Sequence, residues 1–178
     1  MSEFPPASLQ PLIQEVFDLL VSRKETVSVA ETAAGGLISA CLLSTPGASS
    51  IYKGGLTISP EIEQVYTLDS RIAFAGWTPD HLKNYSGPTP DIVAGLADHV
   101  RQTLDATYAI SESGTAGPTG GTTKNRTPGY VAVAVSTARG TYTREADTGS
   151  SDRQANMVGF AAEALKLLRD VIQGKAAL

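Results

Sequence analysis

Four serines stand where a nucleophile would be useful. Ser49 and Ser50 follow a Pro46-Gly47 break, Ser59 ends an apolar run, and Ser113 opens the glycine-rich stretch SGTAGPTGGT. A serine hydroxyl attacks a carbonyl only with help from a base, a lowered pKa or a metal. Lys53, shortly after Ser49, is a candidate base in a Ser–Lys arrangement, although a lysine in such a place is more often a solvated charge. Arg144 and Arg153 are the natural anchors for a phosphate, because a guanidinium presents a fork of donors. Of the two, Arg153, at the start of the last apolar-periodic segment, is favoured.

Two glycine-bearing turns each follow an apolar run: AETAAGG after TVSVA, and ESGTAGPTGG after YAI. Glycine lets backbone N–H groups approach an oxyanion or phosphate without a Cβ in the way. In α/β sheets, ligands collect beyond the carboxyl ends of the strands. Both turns therefore point to one candidate site for a polar head group, with Glu31, Gly35 and Gly36 from the first. Ser113, Gly114, Thr115, Ala116, Gly117, Gly120 and Gly121 come from the second. Neither turn has the Lys-Ser/Thr of a Walker loop or the spacing of a dinucleotide fingerprint. Taken alone, AETAAGG is also an ordinary tight turn; the longer loop is harder to explain without a ligand.

These groups need elements to hold them. Leu9, Leu12, Ile13, Val16, Phe17 and Leu20 recur at helical spacing, which predicts a helix over Ser8–Val21 with Ser8 as its cap. Thr26–Ala30 reads as a buried strand, Gly36–Leu43 as a helix stopped by Pro46 and Gly47, and Lys53–Ser59 as a second strand. Pro60 suits the first turn of a short polar helix, and Asp69–Tyr85 has no clear pattern. Thr89-Pro90-Asp91 is a strong helix start, with the pattern continuing to Leu104. Strands are expected at Tyr108–Ser111, Tyr130–Ser136 and Thr141–Asp147, the last two joined at Arg139-Gly140, and a final amphipathic helix over Asp152–Ile172. Helices alternating with strands, then a hairpin, predict a single-domain α/β layered fold with a mixed sheet flanked by helices. Residues 1–7 and 174–178 are expected to be loose termini.

The whole-chain numbers narrow the function classes. At 178 residues, 42% hydrophobic and 18% charged, the chain fits one ordinary globular domain. Its net charge of −4 and lack of any basic block argue against nucleic acid as a partner. No segment is apolar enough to span a bilayer, and the acidic, proline-bearing N-terminus MSEFPP is unlike a signal peptide, so a soluble, cytoplasmic protein without a membrane partner is expected. Cys41 is the only cysteine, and His81 and His99 lie far apart, so neither a disulfide nor a metal site is expected.

The order TVSVAETAAGGLISACLL, TPGASS, SGPTPDIV, SGTAGPTGGT and TGSSDR resembles the C-terminal domain of the CinA (competence/damage-inducible) proteins, roughly from Leu9 to Val171. That family includes the nicotinamide mononucleotide deamidases. The resemblance implies hydrolysis of a carboxamide to a carboxylate and ammonia, with a pyridine mononucleotide as ligand, a serine nucleophile helped by a tyrosine and a lysine, no metal or other cofactor, and a homodimer. Ser49 matches the nucleophile and Ser113 a loop hydroxyl near the substrate amide. Arg153 matches an arginine of a GDR motif, with Ser150 and Ser151 as an insertion.

The chain departs from the family pattern at several of these places. The family's AESCTGG is AETAAGG here, so Thr32 replaces serine and Ala33 and Ala34 remove two polar side chains. The family's TYSNEAK is ISPEIEQ, which puts Ser59 at the tyrosine and Gln64 at the lysine. A second arginine, in the final helix, becomes Met157. Glutamine cannot take a proton from Ser49, so the implied deamidase scheme is impaired or altered. Tyr52, Lys53, Ser59, Glu31 and Glu61 are the groups that could compensate. Three readings follow: an amidohydrolase acting on a pyridine nucleotide, a binding protein that kept the pocket and lost the reaction, and an enzyme repurposed for another small molecule. Each expects Ser49, the 113–122 turn and Arg153 to border one hollow.

Overall fold

The computed structural model describes residues 4–58, 76–78, 80 and 83–177. Among them, helix α1 (Gln10–Arg23) leads to strand β1 (Val27–Glu31), helix α2 (Leu37–Leu43), a 3-10 turn (Ala48–Ser50) and strand β2 (Tyr52–Thr57). After the undescribed stretch come helix α3 (Pro90–Thr103), strand β3 (Tyr108–Gly114), strands β4 (Tyr130–Thr137) and β5 (Gly140–Asp147), and helix α4 (Arg153–Ile172). The strands form one mixed sheet in the order β2-β1-β3-β4-β5. β2, β1 and β3 run parallel, whereas β4 and β5 are antiparallel additions. This is the predicted α/β layered architecture. Among the described residues, no helix is long and apolar enough to cross a membrane.

Alternation along the strands assigns the two faces. Val27, Val29, Ile110, Val131, Val133 and Val135 join the core made with α1, α2 and α4, where Leu20, Ile38, Phe160, Leu165 and Leu168 are fully buried. The residues between them, Ala30 on β1 and Ala132 and Ala134 on β4, pack on α3 through Leu96, Val100, Val93 and Ala97. β3 is buried along its whole length because it lies in the middle of the sheet with helices over both faces.

The element ends differ from expectation for identifiable reasons. α1 begins at Gln10, after Leu9, with no side-chain cap; the proline in its first turn leaves one fewer N–H there to satisfy. α3 starts as predicted: Thr89 Oγ1 accepts from Ile92 N at 3.3 Å. Asp152 does the same for α4, accepting from Ala155 N at 2.7 Å. β3 continues past Ser111 through Glu112, Ser113 and Gly114, which places the first two members of the expected loop in the sheet. At the C-terminus, Lys175 N donates to Asp170 O at 2.8 Å and Ala176 packs against the core, so residues 174–176 are attached to the body of the domain. The expected Pro60 helix lies outside the described residues.

Candidate functional site

β1 and β3 are neighbours in register, with Ala30 opposite Ser111 and Glu31 opposite Glu112. Two buried glutamates therefore sit side by side at the carboxyl ends of two parallel strands. Both belong to the α2/α4 face, since Ile110 before Glu112 and Val29 before Glu31 join that core.

The two carboxyls are used differently. Glu31, 0% exposed, accepts from Gly36 N (3.1 Å) and Ile38 N (2.9 Å) on Oε2 and from Ser39 N (2.8 Å) on Oε1. It thus satisfies the free N–H groups that open α2, a task that Gly36, in the left-handed region at φ 96°, cannot do with a side chain. Glu31 is fully engaged in capping. Glu112, also 0% exposed, accepts from Thr32 N (3.1 Å) and Ala34 N (2.9 Å) on Oε2, while its buried Oε1 has no partner. Burial pushes the Glu112 carboxyl up to about 7, the N–H groups of Ala34, Thr32 and Ala33 pull it down, and the charge of Glu31 pushes it up.

On the opposite, α3 side of the same strand ends, Thr32 Oγ1 donates to Ser113 Oγ at 3.1 Å. Thr32 is 7% exposed and Ser113 2%. Two positions earlier on this side, Ser111 Oγ donates to Val93 O in the first turns of α3, at 2.5 Å. The hydroxyl pair thus sits beside α3, with the AETAAGG turn on one flank and the second glycine loop on the other.

That second loop is braced from within. Thr115 N donates to Tyr130 O and Gly129 N to Thr115 O, both at 2.9 Å, and Gly121 N donates to Arg126 O at 2.7 Å. Thr115 Oγ1 donates to Asn125 O at 2.9 Å. The glycines are sterically required. A Cβ on Gly114 would meet Phe160 and the Tyr130 carbonyl, each at 2.7 Å, and one on Gly117, at φ +86°, would meet the Ser151 carbonyl at 2.8 Å. A Cβ on Gly120 would collide with the Arg126 carbonyl and Pro128. Buried Asn156, on α4, ties the loop down: its Nδ2 donates to Ala116 O (2.8 Å) and Ser150 O (2.9 Å), and its Oδ1 accepts from Thr148 Oγ1. Arg153 Nη1 donates to Gly117 O at 3.1 Å, which leaves the rest of its exposed guanidinium beside the loop. Met157, where the family carries arginine, is the neighbour a Cβ on Gly35 would meet, at 3.0 Å.

Sequence reasoning placed Glu31, Gly35, Gly36, Ser113, the 114–121 glycines and Arg153 together, and the structure does gather them at the carboxyl ends of β1 and β3. Ser49 stands apart. It lies exposed in the 3-10 turn ahead of β2, and the start of β2 pairs with the start of β1, Tyr52 opposite Val27. The five residues of β1 separate that edge from the glycine loops, a span of about 13 Å at the rise of a strand. Within one chain, the single hollow shared by Ser49, the 113–122 turn and Arg153 does not form.

The compensating groups are also accounted for. Among the described residues, no hydrogen bond joins Ser49 to Lys53 or Tyr52. Lys53 is exposed at a register irregularity, where Val27 pairs with Tyr52 but Ser28 with Gly54. The Tyr52 hydroxyl is bonded to Ser39; burial pushes it up, the Ser39 hydrogen bond pulls it down and the Glu31 charge pushes it up, so it makes a poor base. Ser59, Glu61 and Gln64 lie outside the described residues. Arg144 is paired with Asp170 at 2.7 Å.

Comparison with known proteins agrees with this architecture. Residues 9–172 match the family described as CinA C-terminal domain. The chain belongs to that family. A CinA-like protein from Desulfosudis oleivorans is 34% identical over 94% of this chain and 38% of its own length. A second, from Shewanella amazonensis, is 32% identical with the same coverage, 94% and 38%. This CinA-family chain thus spans well under half of those curated relatives. In fold it is similar to the competence/damage inducible protein CihA from Agrobacterium tumefaciens, with a TM-score of 0.83 at 24% identity over 97% of this chain and 99% of that one. A CinA superfamily protein from Klebsiella pneumoniae gives 0.82 at 20% identity, over 93% and 98%.

Glu112, Thr32 and Asn156 escaped the sequence reading. Glu112 looks like a loop residue when the strand is ended at Ser111. Asn156 did carry a signal, since it is a polar residue next to Met157 and one turn before Phe160 on the buried side of a periodic helix.

Proposed function

We propose that this CinA-family chain is an amidohydrolase-like protein that holds a pyridine mononucleotide or a close analogue beside the Thr32–Ser113 hydroxyl pair and hydrolyses its carboxamide only slowly. The observation that carries the reading is that pair, set between two glycine-bearing turns at the carboxyl ends of parallel strands, where α/β sheets bind ligands. With Thr32 donating to Ser113, the Ser113 proton is free to reach a carbonyl or phosphate oxygen of a ligand, and Arg153 adds donors alongside. Family membership supports the substrate class. The slowness follows from the lack of a base: among the described residues, no lysine, histidine or tyrosine is hydrogen-bonded to either hydroxyl. General-base assistance is typically worth ~10²–10⁴-fold.

Ligand binding without turnover is the second reading, favoured by the full commitment of Glu31 to the start of α2. One experiment separates them. Purified protein is incubated with nicotinamide mononucleotide, ammonia is measured, and binding is followed by thermal shift, with Ser113→Ala and Arg153→Ala as controls. Slow ammonia release that falls in Ser113→Ala supports hydrolysis. A thermal shift that weakens in Arg153→Ala, with no ammonia, supports the second reading. The absence of both ammonia and a thermal shift refutes both readings.

A further inference from the structure

Glu112 is a buried acid that the proposed reaction does not use. Its carboxyl lies on the α2/α4 face of β3, away from the Thr32–Ser113 hydroxyls, yet it touches them through the backbone. Oε2 holds the N–H of Thr32, the residue whose hydroxyl donates to Ser113, and the N–H of Ala34 in the same turn. Oε1 is buried with no partner, and the residue opposite across the strand pair is another glutamate. A bare carboxylate oxygen in that position would be an uncompensated charge beside a second acid, which protein interiors avoid by keeping the group protonated.

We propose that Glu112 is the positioning residue of the strand-end site: as a neutral acid it holds the 32–34 turn through Oε2, and ionisation, although it strengthens those two bonds, leaves a buried charge that draws in water and so opens that turn and with it the Thr32–Ser113 pair. The assignment rests on the ligand reading above for its functional consequence, but not for its structural one. The clamp follows from geometry. Ionised, Oε1 is a buried charge beside Glu31 without a hydrogen-bond partner. Water reaches the carboxyl once the turn bound to Oε2 opens. The neutral form leaves an unpartnered O–H there instead, which carries no charge and costs less to bury.

The surrounding charges allow this behaviour. β1 faces Glu112 with Glu31. Cys41 from α2 and Tyr52 from β2 are both coupled to Glu31. β4 presents Val133 opposite Glu112. α4 covers the next residue on that face, Gly114, with Phe160. The charged groups of α4 are engaged elsewhere: Arg153 with Gly117 O, Lys166 with Glu163, and Arg169 with Glu15 and Asp170. Among the described residues, no cation is paired with Glu112. Burial lifts its carboxyl to about 7, so the change falls near neutrality.

The test is a pH titration followed by nuclear magnetic resonance of the backbone amides, with nicotinamide mononucleotide binding measured over the same range. The Thr32 and Ala34 amide resonances are expected to shift with a common midpoint near neutrality in the native protein and to stay put in Glu112→Gln, whose amide mimics the neutral acid. The affinity is expected to fall about five- to tenfold from about pH 6 to about pH 8 in the native protein and to stay flat in Glu112→Gln. Static amides, or a titration that survives in Glu112→Gln, would overturn the assignment. Amides that titrate in a protein that never binds the nucleotide leave the clamp standing and refute the ligand reading. Should Glu112→Gln fail to fold, the carbon-13 signal of the native Glu112 carboxyl decides, and a midpoint in the ordinary glutamate range overturns the proposal.

Discussion

At the carboxyl ends of β1 and β3, Glu31, Glu112, Ser113 and Asn156 are all buried and all hydrogen-bonded to the turns around them; at the amino end of β2, Ser49 is exposed and its hydroxyl bonds to none of the described residues. Both regions carry a hydroxyl that chemistry could use. Only the first carries the scaffolding that fixes a hydroxyl's position, and a catalytic or binding group held loosely does little. In this chain the buried hydrogen-bond network gathers around the strand ends that β3 shares with β1, and the serine that the family resemblance singles out lies outside it.

The contrast breaks most severely at Glu31. Glu31→Ala strips three N–H groups of their acceptor in a buried corner, and each such loss costs about 1–3 kcal/mol. The expected loss is about 4 kcal/mol in urea unfolding, with α2 the first element to lose amide-exchange protection. Asn156→Ala comes next. It leaves the Ala116 and Ser150 carbonyls and the Thr148 hydroxyl without their shared partner, and about 3 kcal/mol is expected. Its signature is distinct: the 113–121 loop should become sensitive to protease while α2 does not. A loss below about 1 kcal/mol for either variant would show that the strand ends are less constrained than their hydrogen bonds imply.

Glu112→Gln sharpens the comparison through pH. The folded-state carboxyl titrates at about 7, above its ordinary value of 4.5. Between these values the unfolded chain releases the proton and the folded one keeps it, so native stability falls as pH rises through this window and levels off above it. The native protein should lose on the order of 2–3 kcal/mol from this group between about pH 4.5 and about pH 7.5, and Glu112→Gln should lose none of it. Urea unfolding of both proteins across the range checks this. Parallel curves would mean that Glu112 ionises in the folded state much as it does in the unfolded chain.

The layered architecture was legible from periodicity because the core obeys it. The α3 cap at Thr89, the α4 cap at Asp152 and the alternating valines of β4 all stand in plain sequence. The site was only partly legible. The glycines marked the two turns correctly, but their reason was different from the expected one: Gly114 and Gly117 lack side chains because Phe160, Tyr130 and Ser151 occupy that space, all distant in sequence. Glu112 was invisible because an acid in mid-strand contradicts β propensity, and the donors to its Oε2 come from the backbone of a turn some eighty residues earlier. The separation of Ser49 from the loops depends on strand direction, which a local pattern does not carry.

The smallest expected effect belongs to Ser49 itself. With its side chain exposed and unbonded among the described residues, Ser49→Ala should change stability by less than about 0.5 kcal/mol, well below the effect of any strand-end variant. Its effect on ammonia release then discriminates sharply, because no folding defect can confound it. Turnover within about twofold of the native rate, beside a large drop in Ser113→Ala, would confine the chemistry to the carboxyl ends of β1 and β3. Abolished turnover would place Ser49 in the reaction. Since β1 keeps it from the glycine loops of its own chain, it would then have to act on the loops of a second copy, and mixing Ser49→Ala with Ser113→Ala protein should restore part of the activity.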